Sequence, residues 1–263
     1  MNKKTEDKKV GTLITEMELD DSGLVKDIEK ESKITVGDKG VEQIDSFKIS
    51  GSGGEDVFDA QTIKDFILDA GSDHLPTFGG KFEGGIHLQQ VADEITPCLV
   101  ELLKYKKDIK SFLEIGSAAG GSAFIFNHFF DLETIVLIDD NKHGKHGLRG
   151  DVLKGINRQE IIGRSDDESV MNEISNLNVM FDLILVDSEH DYRQVKVEVA
   201  AYMPFLKPGG FLFLHDTVYS PDGDGRVVRE LKNDIGMEFI DEYVAEEGPK
   251  LGIALFRKRK VAL

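Results

Sequence analysis

The sequence predicts an α/β protein built on a doubly wound, mostly parallel sheet of seven strands with an antiparallel edge, preceded by an acidic N-terminal extension. Two observations lead to this prediction. Five short, nearly continuous apolar runs alternate with helix-like stretches from about residue 111 onwards, which is typical of parallel strands buried on both faces. Two further apolar runs then close the sequence with no helical stretch between them.

The predicted strands and helices follow in order along the chain. The five apolar runs occupy residues 111–115, 134–138, 160–163, 181–187 and 210–216. Helical spacing between them, clearest over 191–206, supplies the crossovers that parallel strands need. A helix around 225–234 then precedes the last two runs, 237–244 and 250–258. We expect these two to pair antiparallel at one edge of the sheet.

The first 80 residues differ in composition from the remainder. They hold 10 lysines, no arginine and 18 acidic residues, a net −8. One amphipathic helix is predicted over 57–71, ending at Gly71. We interpret residues 1–55 as loosely ordered, or as ordering only against a partner or a second subunit. The domain boundaries predicted are therefore 1–80 for the extension and 81–263 for the main domain, with a homo-oligomer through the extension as an open alternative.

The overall charge excludes some classes of partner. The chain has 263 residues and a formal net charge of −17, whereas a nucleic-acid binder clusters Lys and Arg against phosphates. An anionic membrane surface is disfavoured for the same reason, and no stretch approaches the roughly 18 apolar residues of a membrane span. The N-terminus lacks the apolar run of a signal peptide. Without a membrane span or that apolar run, we expect a cytoplasmic protein. The single cysteine, Cys98, lies in a helical run and is expected to be buried.

The first predicted strand ends in a glycine-rich turn, FLEIGSAAGGS at 112–122. Glycines allow a ligand to approach the backbone, and the helix that follows offers free N–H groups. The spacing differs from the G-x-G-x-x-G of dinucleotide sites. An acid inside the apolar strand, Glu114, would repel a pyrophosphate but suit an ammonium group. The alternative is a turn that binds no ligand.

The next two strand ends carry polar residues. Asp139 and Asp140 end the second run, where a carboxylate can accept ribose hydroxyls, although solvated acids at a strand end are common. Ser165 and Asp166 follow the third run and could bond an adenine amino group. They could equally cap the helix that follows.

The fourth and fifth strand ends bring acids and histidines to neighbouring positions. Asp187 ends one strand with His190 three residues later, and His215 and Asp216 end the next. Two carboxylates on adjacent strand ends can bind a hard divalent cation such as Mg²⁺. A histidine beside them can act as a general base. The alternative for His190 is an exposed position at a helix N-terminus, which Asp191 would cap.

The combination of these motifs resembles the class I S-adenosylmethionine-dependent methyltransferases, whose fold is Rossmann-like. It is most similar to bacterial small-molecule O-methyltransferases of the macrocin and cephalosporin-cluster type and more distantly to catechol and caffeoyl-CoA O-methyltransferases. The motifs are E-x-G-x-x-x-G-G-S, an acid after the second strand, D-S-E-H-D-Y and L-K-P-G-G-F-L-F-L-H-D-T. The resemblance covers roughly residues 85–258, within the predicted domain 81–263.

The resemblance implies a role for each matching residue. The methionine part of the cofactor would contact Glu114, Gly116, Ser117, Ala118, Gly120, Gly121 and Ser122. Asp139 would bind the ribose, and Arg164, Ser165 and Asp166 would surround the adenine, with Asp187 also at the cofactor. Asp187 and Asp216, with His215 or Thr217, match the cation ligands of the metal-dependent members. His190 stands where the catechol-type enzymes have a lysine base. Ala118 replaces a glycine that is often present, and Thr217 replaces an asparagine ligand.

The function predicted is methyl transfer from S-adenosylmethionine to a hydroxyl of a small molecule, of sugar or natural-product type, with Mg²⁺ assisting. One alternative keeps the cofactor and uses a histidine base without a metal. Another is a non-catalytic module that binds S-adenosylmethionine. The acceptor is expected to be selected by segments outside the sheet, 74–90 and 140–150, where His143 and His146 suggest either a metal site or a basic lid.

Overall fold

The computed structural model describes residues 34–37, 40–44, 59–72 and 85–260. Within the N-terminal part, β1 (Ile34–Gly37) and β2 (Gly40–Ile44) form an antiparallel hairpin. The prediction for residues 1–55 lies outside the described residues apart from this hairpin. The same holds for most of the 74–90 segment, of which residues 85–90 are described.

A seven-stranded sheet forms the centre of the main domain. Its strands are β3 (Ser111–Ile115), β4 (Thr134–Asp139), β5 (Gln159–Ile162), β6 (Phe181–Val186), β7 (Leu206–Leu214), β8 (Met237–Tyr243) and β9 (Ile253–Lys258). The spatial order is β5-β4-β3-β6-β7-β9-β8. Strands β3 to β7 pair parallel, and β9 pairs antiparallel with both β7 and β8. The predicted doubly wound sheet with an antiparallel edge is therefore confirmed.

Helices cover both faces of this sheet. They are α1 (Ala60–Ala70), α2 (Ala92–Leu103), α3 (Gly121–Phe129), α4 (Arg149–Val152), α5 (Glu168–Asn176), α6 (Tyr192–Tyr202) and α7 (Asp224–Leu231). Short 3₁₀ turns lie at His146–Leu148 and Met203–Phe205. No described helix is both long enough and apolar enough to cross a membrane.

The helix ends follow from local side-chain chemistry. The Asp59 carboxylate accepts a hydrogen bond from the Thr62 N–H at 2.9 Å and caps α1, and Gly71 ends that helix with a φ of 110°. Asp191 caps α6 by accepting from the backbone N–H groups of the two residues at 193 and 194, as the sequence predicted. These caps satisfy N–H groups that have no partner inside the helix.

Alternate residues of the strands face two separate apolar cores, because successive strand side chains point to opposite faces. One core joins Phe112, Leu137, Leu185 and Phe213 to side chains of α1, α2 and α3. The other joins Leu113, Val136, Ile184 and Leu212 to side chains of α5, α6 and α7. Burial on both faces is the reason that these strands read as continuous apolar runs.

Helix α1 contributes to the first of these two cores, the one that contains Phe112. Its Ile63 and Ile67 side chains are fully buried, and they share a core with α2. Cys98 on α2 is buried as predicted, and burial raises the pKa of its thiol well above the usual value. It is therefore a packing residue rather than a reactive thiol.

Removal of the Phe126 ring tests the packing of α3 on the sheet. The ring is fully buried and lies 5.0 Å from the Phe112 ring, centroid to centroid. We expect Phe126→Ala to lower the free energy of unfolding by about 3–5 kcal/mol, through lost burial and the cavity left behind. Ile235→Ala, at a 93% exposed side chain, is the control and should change it by about 0.5 kcal/mol or less. Urea unfolding measures both, and equal effects would contradict the assigned core.

Candidate active site

A cavity of about 460 Å³ opens at the carboxyl ends of the parallel strands. It lies where the strand order reverses, since the chain moves outward from β3 to β5 and then returns to β6 on the other side of β3. Ligands of doubly wound sheets bind at this point, and the volume lies within the roughly 300–1,000 Å³ usual for small-molecule sites. Seven residues that the sequence predicted line it: Gly116, Ala118, Asp139, Arg164, Ser165, Asp187 and His190.

Close contact between two strand ends forms the floor of this cavity. Gly116 follows β3 with a φ of +87°, and a Cβ placed there would lie 1.9 Å from the Asp187 carbonyl oxygen. Its N–H donates to the Ile138 carbonyl at 2.8 Å, and the Asp187 N–H donates to the Ile115 carbonyl at 2.9 Å. Only glycine allows this approach. The position of Asp187 therefore depends on Gly116.

The other glycines of the turn have packing roles. A Cβ at Gly120 would lie 2.7 Å from the Leu153 side chain, and one at Gly121 would lie 2.7 Å from the Ile86 carbonyl. Neither glycine lines the cavity, and the same is true of Ser117 and Ser122. Their predicted contact with the cofactor stays a prediction. What the structure establishes is that both glycines let neighbouring segments pack closely against α3.

Glu114 is fully buried inside β3 and does not itself line the cavity. Burial raises its pKa to about 8, the Ser122 hydroxyl lowers it by hydrogen bonding, and the charge of Asp187 raises it further. Neither carboxyl oxygen makes a hydrogen bond of good geometry within the described chain. A carboxyl group in this state favours a nearby positive charge, because a cation would offset the cost of ionising it.

Asp139 is held by a residue that the sequence did not single out. Its carboxylate pairs with the buried guanidinium of Arg149 at 2.9 Å and accepts the backbone N–H groups of Ala118 and Asn141 at 2.8 and 2.7 Å. The Arg149 Nε donates to the Ala118 carbonyl at 2.9 Å. These bonds fix the glycine turn to the end of β4. They leave Asp139 lining the cavity, as its predicted ribose contact requires.

A buried carboxylate also organises the third strand end. Glu198 on α6 is fully buried and lines the cavity. It accepts hydrogen bonds from the Ser165 and Ser188 hydroxyls and from the Gln194 amide. Arg164 bonds to Gln194 and pairs with Asp166, which lies outside the cavity lining. The N-cap position of α5 is Asp167, whose side chain makes no capping hydrogen bond. The alternative in which Ser165 or Asp166 caps this helix is therefore not the observed one.

Asp187 and His190 line one end of the cavity, and Asp216 lies beside them without lining it. One ligand atom from each lies within 4.8 Å of the others, the only such group found among the described residues. Asp187 and Asp216 follow the adjacent strands β6 and β7. Asp216 has a φ of +56°, a left-handed conformation that aspartate tolerates better than most residues. Opposed ligands of an octahedral Mg²⁺ stand about 4.2 Å apart, so the spacing suits a small hard cation.

Two imidazoles face these carboxylates. His190 Nε2 lies 3.1 Å from Asp216 Oδ2, and His190 Nδ1 lies 3.4 Å from Asp224 Oδ2. Burial acts to lower the pKa of His190, but the hydrogen bond to Asp224 and the charge of Asp216 outweigh it and raise that pKa to about 9. His215 Nδ1 lies 3.1 Å from both Asp187 and Asp216.

His215 is fully buried, and its surroundings favour its charged form. Burial acts to lower its pKa, but the charge of Asp187 and hydrogen bonds to Asp187 and Asp216 raise it to about 10. The sequence placed His215 among the cation ligands. In the structure its Nδ1 bridges the two acids, while His190 completes the group whose ligand atoms lie together.

Residues 85–90 close one side of the site. The Gln90 amide donates to Asp187 Oδ2 at 2.6 Å. Gln89 Nε2 lies 3.2 Å from His143 Nε2, and Lys145 Nζ lies 3.4 Å from His87 Nδ1. The 140–150 segment therefore contacts the 85–90 segment beside the cavity, in the position expected of a lid.

The sequence analysis did not identify four residues that contact the predicted site residues: Gln90, Arg149, Glu198 and Asp224. Glu198 carried a usable signal, because it lies on the buried face of α6 with Val195 and Tyr202, as an acid inside an apolar pattern. Gln90 and Arg149 carried none, since their sequence surroundings are mixed and their partners lie 97 and 10 residues away.

A family model described as a methyltransferase domain matches residues 113–217. This segment runs from β3 to just beyond β7 and contains the glycine turn, Asp139, Asp187, His190 and Asp216. The match covers about two fifths of the chain, and this segment is similar to methyltransferase domains. The resemblance to class I S-adenosylmethionine-dependent methyltransferases predicted from the sequence is thereby confirmed.

Solved structures of methyltransferases share the fold of this methyltransferase domain and its flanking elements. MycE from the mycinamycin biosynthetic pathway, in complex with Mg, SAH and mycinamycin VI, is 18% identical and has a TM-score of 0.50, covering 70% of this chain and 53% of its own. The O-methyltransferase TomG from Streptomyces achromogenes, involved in tomaymycin synthesis and in complex with SAM, is 14% identical with a TM-score of 0.54, covering 74% and 89%. An O-methyltransferase from Bacillus cereus in complex with SAH is 13% identical with a TM-score of 0.53, covering 75% and 91%.

One curated relative matches by sequence. Uncharacterized protein R132 of Acanthamoeba polyphaga mimivirus is 25% identical over 118 residues, which cover 43% of this chain. The match spans 53% of that protein, so the alignment accounts for about half its length.

The buried acid of β3 makes a testable prediction. Because the pKa of Glu114 is about 8 in the folded protein and 4.5 ordinarily, the folded form holds the proton more tightly, and stability falls as pH rises from about 4.5 to 8. Glu114→Gln removes this loss. We expect the variant to gain about 3 kcal/mol relative to the natural protein between pH 5 and pH 8, as measured by urea unfolding.

The matched control is Glu133→Gln, at an exposed acid, whose stability difference from the natural protein should not change with pH. A pH-independent difference for Glu114→Gln would contradict the assignment. Any constant cost of burying the glutamine amide cancels, because the measurement compares two pH values.

Proposed function

We propose that this protein transfers the methyl group of S-adenosylmethionine to a hydroxyl of a small molecule, with a divalent cation held by Asp187 and Asp216. The observation that carries the proposal is that two features adjoin at one cavity. One is the glycine turn at the strand-order reversal, and the other is a cluster of two acids and a histidine of which Asp187 and His190 line the cavity. The Mg and SAH named for MycE and the SAM named for TomG support it by likeness of fold.

The residues present fit a cationic cofactor. The cavity lining includes Asp139, Asp140, Asp187 and Glu189, and the buried Glu114 lies behind its floor with carboxyl oxygens that lack well-formed hydrogen bonds. Negative charge on this scale suits a sulfonium and an ammonium group. We assign Asp139 to the ribose hydroxyls and Ser165 with Gln194 to the adenine, because all three residues line the cavity.

The donor set of Asp187 and Asp216 fits a hard divalent cation. Both groups are carboxylates, they come from adjacent strand ends, and they lie within ligand distance of each other and of His190. His215 Nδ1 already faces both carboxylates. When the cation binds, the His215 imidazole would either remain beside the two acids and balance their charge or be displaced from them. The second carboxylate oxygen of Asp187 is oriented by the Gln90 amide.

In the proposed reaction S-adenosylmethionine supplies a methyl group that the acceptor oxygen takes by in-line displacement, with S-adenosylhomocysteine as the leaving product. Asp187 and Asp216 would hold the divalent cation, and its positive charge would lower the pKa of the acceptor hydroxyl. The protein contributes mostly positioning. The negative charge that raises the pKa of His190 would be offset by a cation on Asp187 and Asp216, and the neutral Nε2 would then accept the acceptor proton. The glycine turn and Asp139 would orient the cofactor, and the 85–90 and 140–150 segments would limit access of water.

A metal-independent reaction is the second candidate. The observation that favours it is the buried His215 imidazole, which lies 3.1 Å from both acids and whose pKa is raised to about 10. A charged imidazole there can balance the two carboxylates without a cation. His190 would then act as base alone.

The nature of the acceptor, the absence of nucleic-acid and membrane partners, a cytoplasmic location and association of copies through residues 1–80 stay predictions. The acidic composition supports the exclusion of nucleic acid. The cavity beside residues 85–90 supports a small-molecule acceptor, since its volume suits a cofactor and a compact acceptor rather than a polymer.

Isothermal titration calorimetry tests the cofactor. We expect S-adenosylmethionine to bind with a dissociation constant on the order of 1 μM to 1 mM. Asp139→Asn should weaken binding about tenfold, which is roughly 1.4 kcal/mol. Asp131→Asn, at an acid whose side chain is 78% exposed, should bind as the natural protein does. Absence of binding at millimolar cofactor would contradict the proposal.

Mass spectrometry of S-adenosylhomocysteine formation tests the chemistry. Against a panel of sugars, catechols and a small-molecule extract, we expect turnover that His190→Gln lowers about 10²- to 10⁴-fold. EDTA or Asp216→Ala should abolish turnover, with Mg²⁺ restoring only the EDTA-treated protein. Full activity in EDTA would select the metal-independent reaction. Cofactor binding without turnover on any panel member would favour a non-catalytic binding module.

A further inference from the structure

We propose that Asp224 is a positioning residue for His190: its carboxylate accepts the imidazole Nδ1–H and so directs Nε2 toward Asp216 and the acceptor. The role described for Nε2 rests on the proposed function, whereas the contact between Asp224 and His190 does not. Asp224 opens α7, after the loop that follows β7, and neither the sequence interpretation nor the family match, which ends at residue 217, includes it.

The side chains of the two residues meet in a buried environment. Asp224 is 1% exposed, and its Oδ2 lies 3.4 Å from His190 Nδ1. On the other side of the ring, Nε2 lies 3.1 Å from Asp216 Oδ2. An aspartate without a partner is rarely buried to this extent. Within the described chain, His190 is the residue with which Asp224 forms an ion pair.

The backbone around His190 is held by the same loop. The Ser220 hydroxyl donates to the His190 carbonyl at 2.8 Å. A Cβ at Gly223 would lie 1.9 Å from that carbonyl oxygen, so only glycine allows the loop to pack this closely. The Tyr219 ring stands edge-on to the imidazole with 6.5 Å between centroids. The main chain and the ring of His190 therefore have one position relative to α7.

The start of this loop is fixed as well. The Val218 N–H donates to the Leu251 carbonyl at 2.8 Å, and the buried Glu94 carboxylate accepts the N–H groups of Leu251 and Gly252 at 3.1 and 3.0 Å. A carboxylate held by backbone donors in this way resists displacement. The loop that carries Asp224 is therefore tied to the core through Glu94.

Asp216 and Asp224, the two acids beside the His190 ring, differ in their other contacts. Asp216 belongs to the candidate cation group, while Asp224 lies outside that group on the opposite side of the imidazole. Asp224 Oδ2 and His190 Nδ1 are both buried without a hydrogen bond of good geometry, and they face each other at 3.4 Å. A proton on Nδ1 would satisfy both atoms, and Nε2 would be held facing Asp216 and the reacting end of the cavity.

A purely structural role for Asp224 would give a different result. Charge at the first turn of α7 stabilises a helix through its dipole, and loss of that charge would lower stability without changing the imidazole proton. Nuclear magnetic resonance distinguishes the two roles, since a buried, hydrogen-bonded imidazole N–H gives its own resonance far downfield of the amide protons. The measurement needs neither cofactor nor acceptor.

The experiment uses the full chain with ¹⁵N-labelled histidine in the presence of Mg²⁺. We expect a downfield Nδ1–H resonance that His190→Gln removes, that Asp224→Ala also removes, and that Asp224→Asn moves upfield, because an amide oxygen is a weaker acceptor than a carboxylate. The control is Glu230→Gln on the same helix, an exposed acid that bonds Tyr192 and Lys196, which should leave the resonance unchanged. Absence of the resonance in the natural protein, or its persistence in Asp224→Ala, would overturn the proposal.

Kinetics supply the second measurement. Asp224→Asn should lower kcat for methyl transfer about 10- to 100-fold while KM for S-adenosylmethionine changes by less than about twofold, because Asp224 does not line the cavity. An unchanged kcat would overturn the positioning role. If the natural protein shows the resonance but no turnover, the proposed function fails while the Asp224 contact stands.

Discussion

The arrangement of this protein depends on the cost of burying carboxylates at one edge of its sheet. Glu114, Asp139, Glu198, Asp216 and Asp224 are all nearly or fully buried at or near the carboxyl ends of the parallel strands. An ionised carboxylate leaves water only with a partner or with a shifted pKa. Each of these acids therefore has a partner or a shifted pKa, and these arrangements define the site.

The way in which the buried charge is compensated differs from one acid to the next. Asp139 is neutralised by Arg149, and Glu198 is satisfied by hydroxyl and amide donors. Asp216 faces His190 and His215, which also bonds Asp187. Burial raises the pKa of Glu114 to about 8, so this acid keeps its proton at neutral pH. The excess negative charge of the cavity makes a cationic cofactor and a divalent ion suitable ligands. Asp224 is buried as well, and it pairs with His190.

Much of the fold was predictable because parallel strands buried on both faces leave a signal in consecutive residues. The five apolar runs, the helix ending at Gly71 and the Asp191 cap all follow from spacing and short-range hydrogen bonding. The acids at the strand ends were predictable for a related reason: the topology of a doubly wound sheet brings them to one edge. Asp187, His190 and Asp216 meet there as expected. Gly120 and Gly121 have a packing role that the sequence did not indicate, and their contact with the cofactor stays a prediction.

The sequence by itself determined the class of fold, the edge of the sheet where the site lies and the acids that occupy it, because these depend on local periodicity and on the order of the strands. Only the tertiary structure decided the partners of those acids. Arg149, Gln90 and Asp224 reach their partners from segments that are distant or irregular in sequence, and their hydrogen bonds depend on how loops fold back on the sheet. The same reason applies to the two histidines. His190 follows the strand-end acid Asp187 and His215 precedes the strand-end acid Asp216, so the sequence does not distinguish their contacts. Tertiary packing decides that His190 faces Asp216 through Nε2 and that His215 faces both acids through Nδ1.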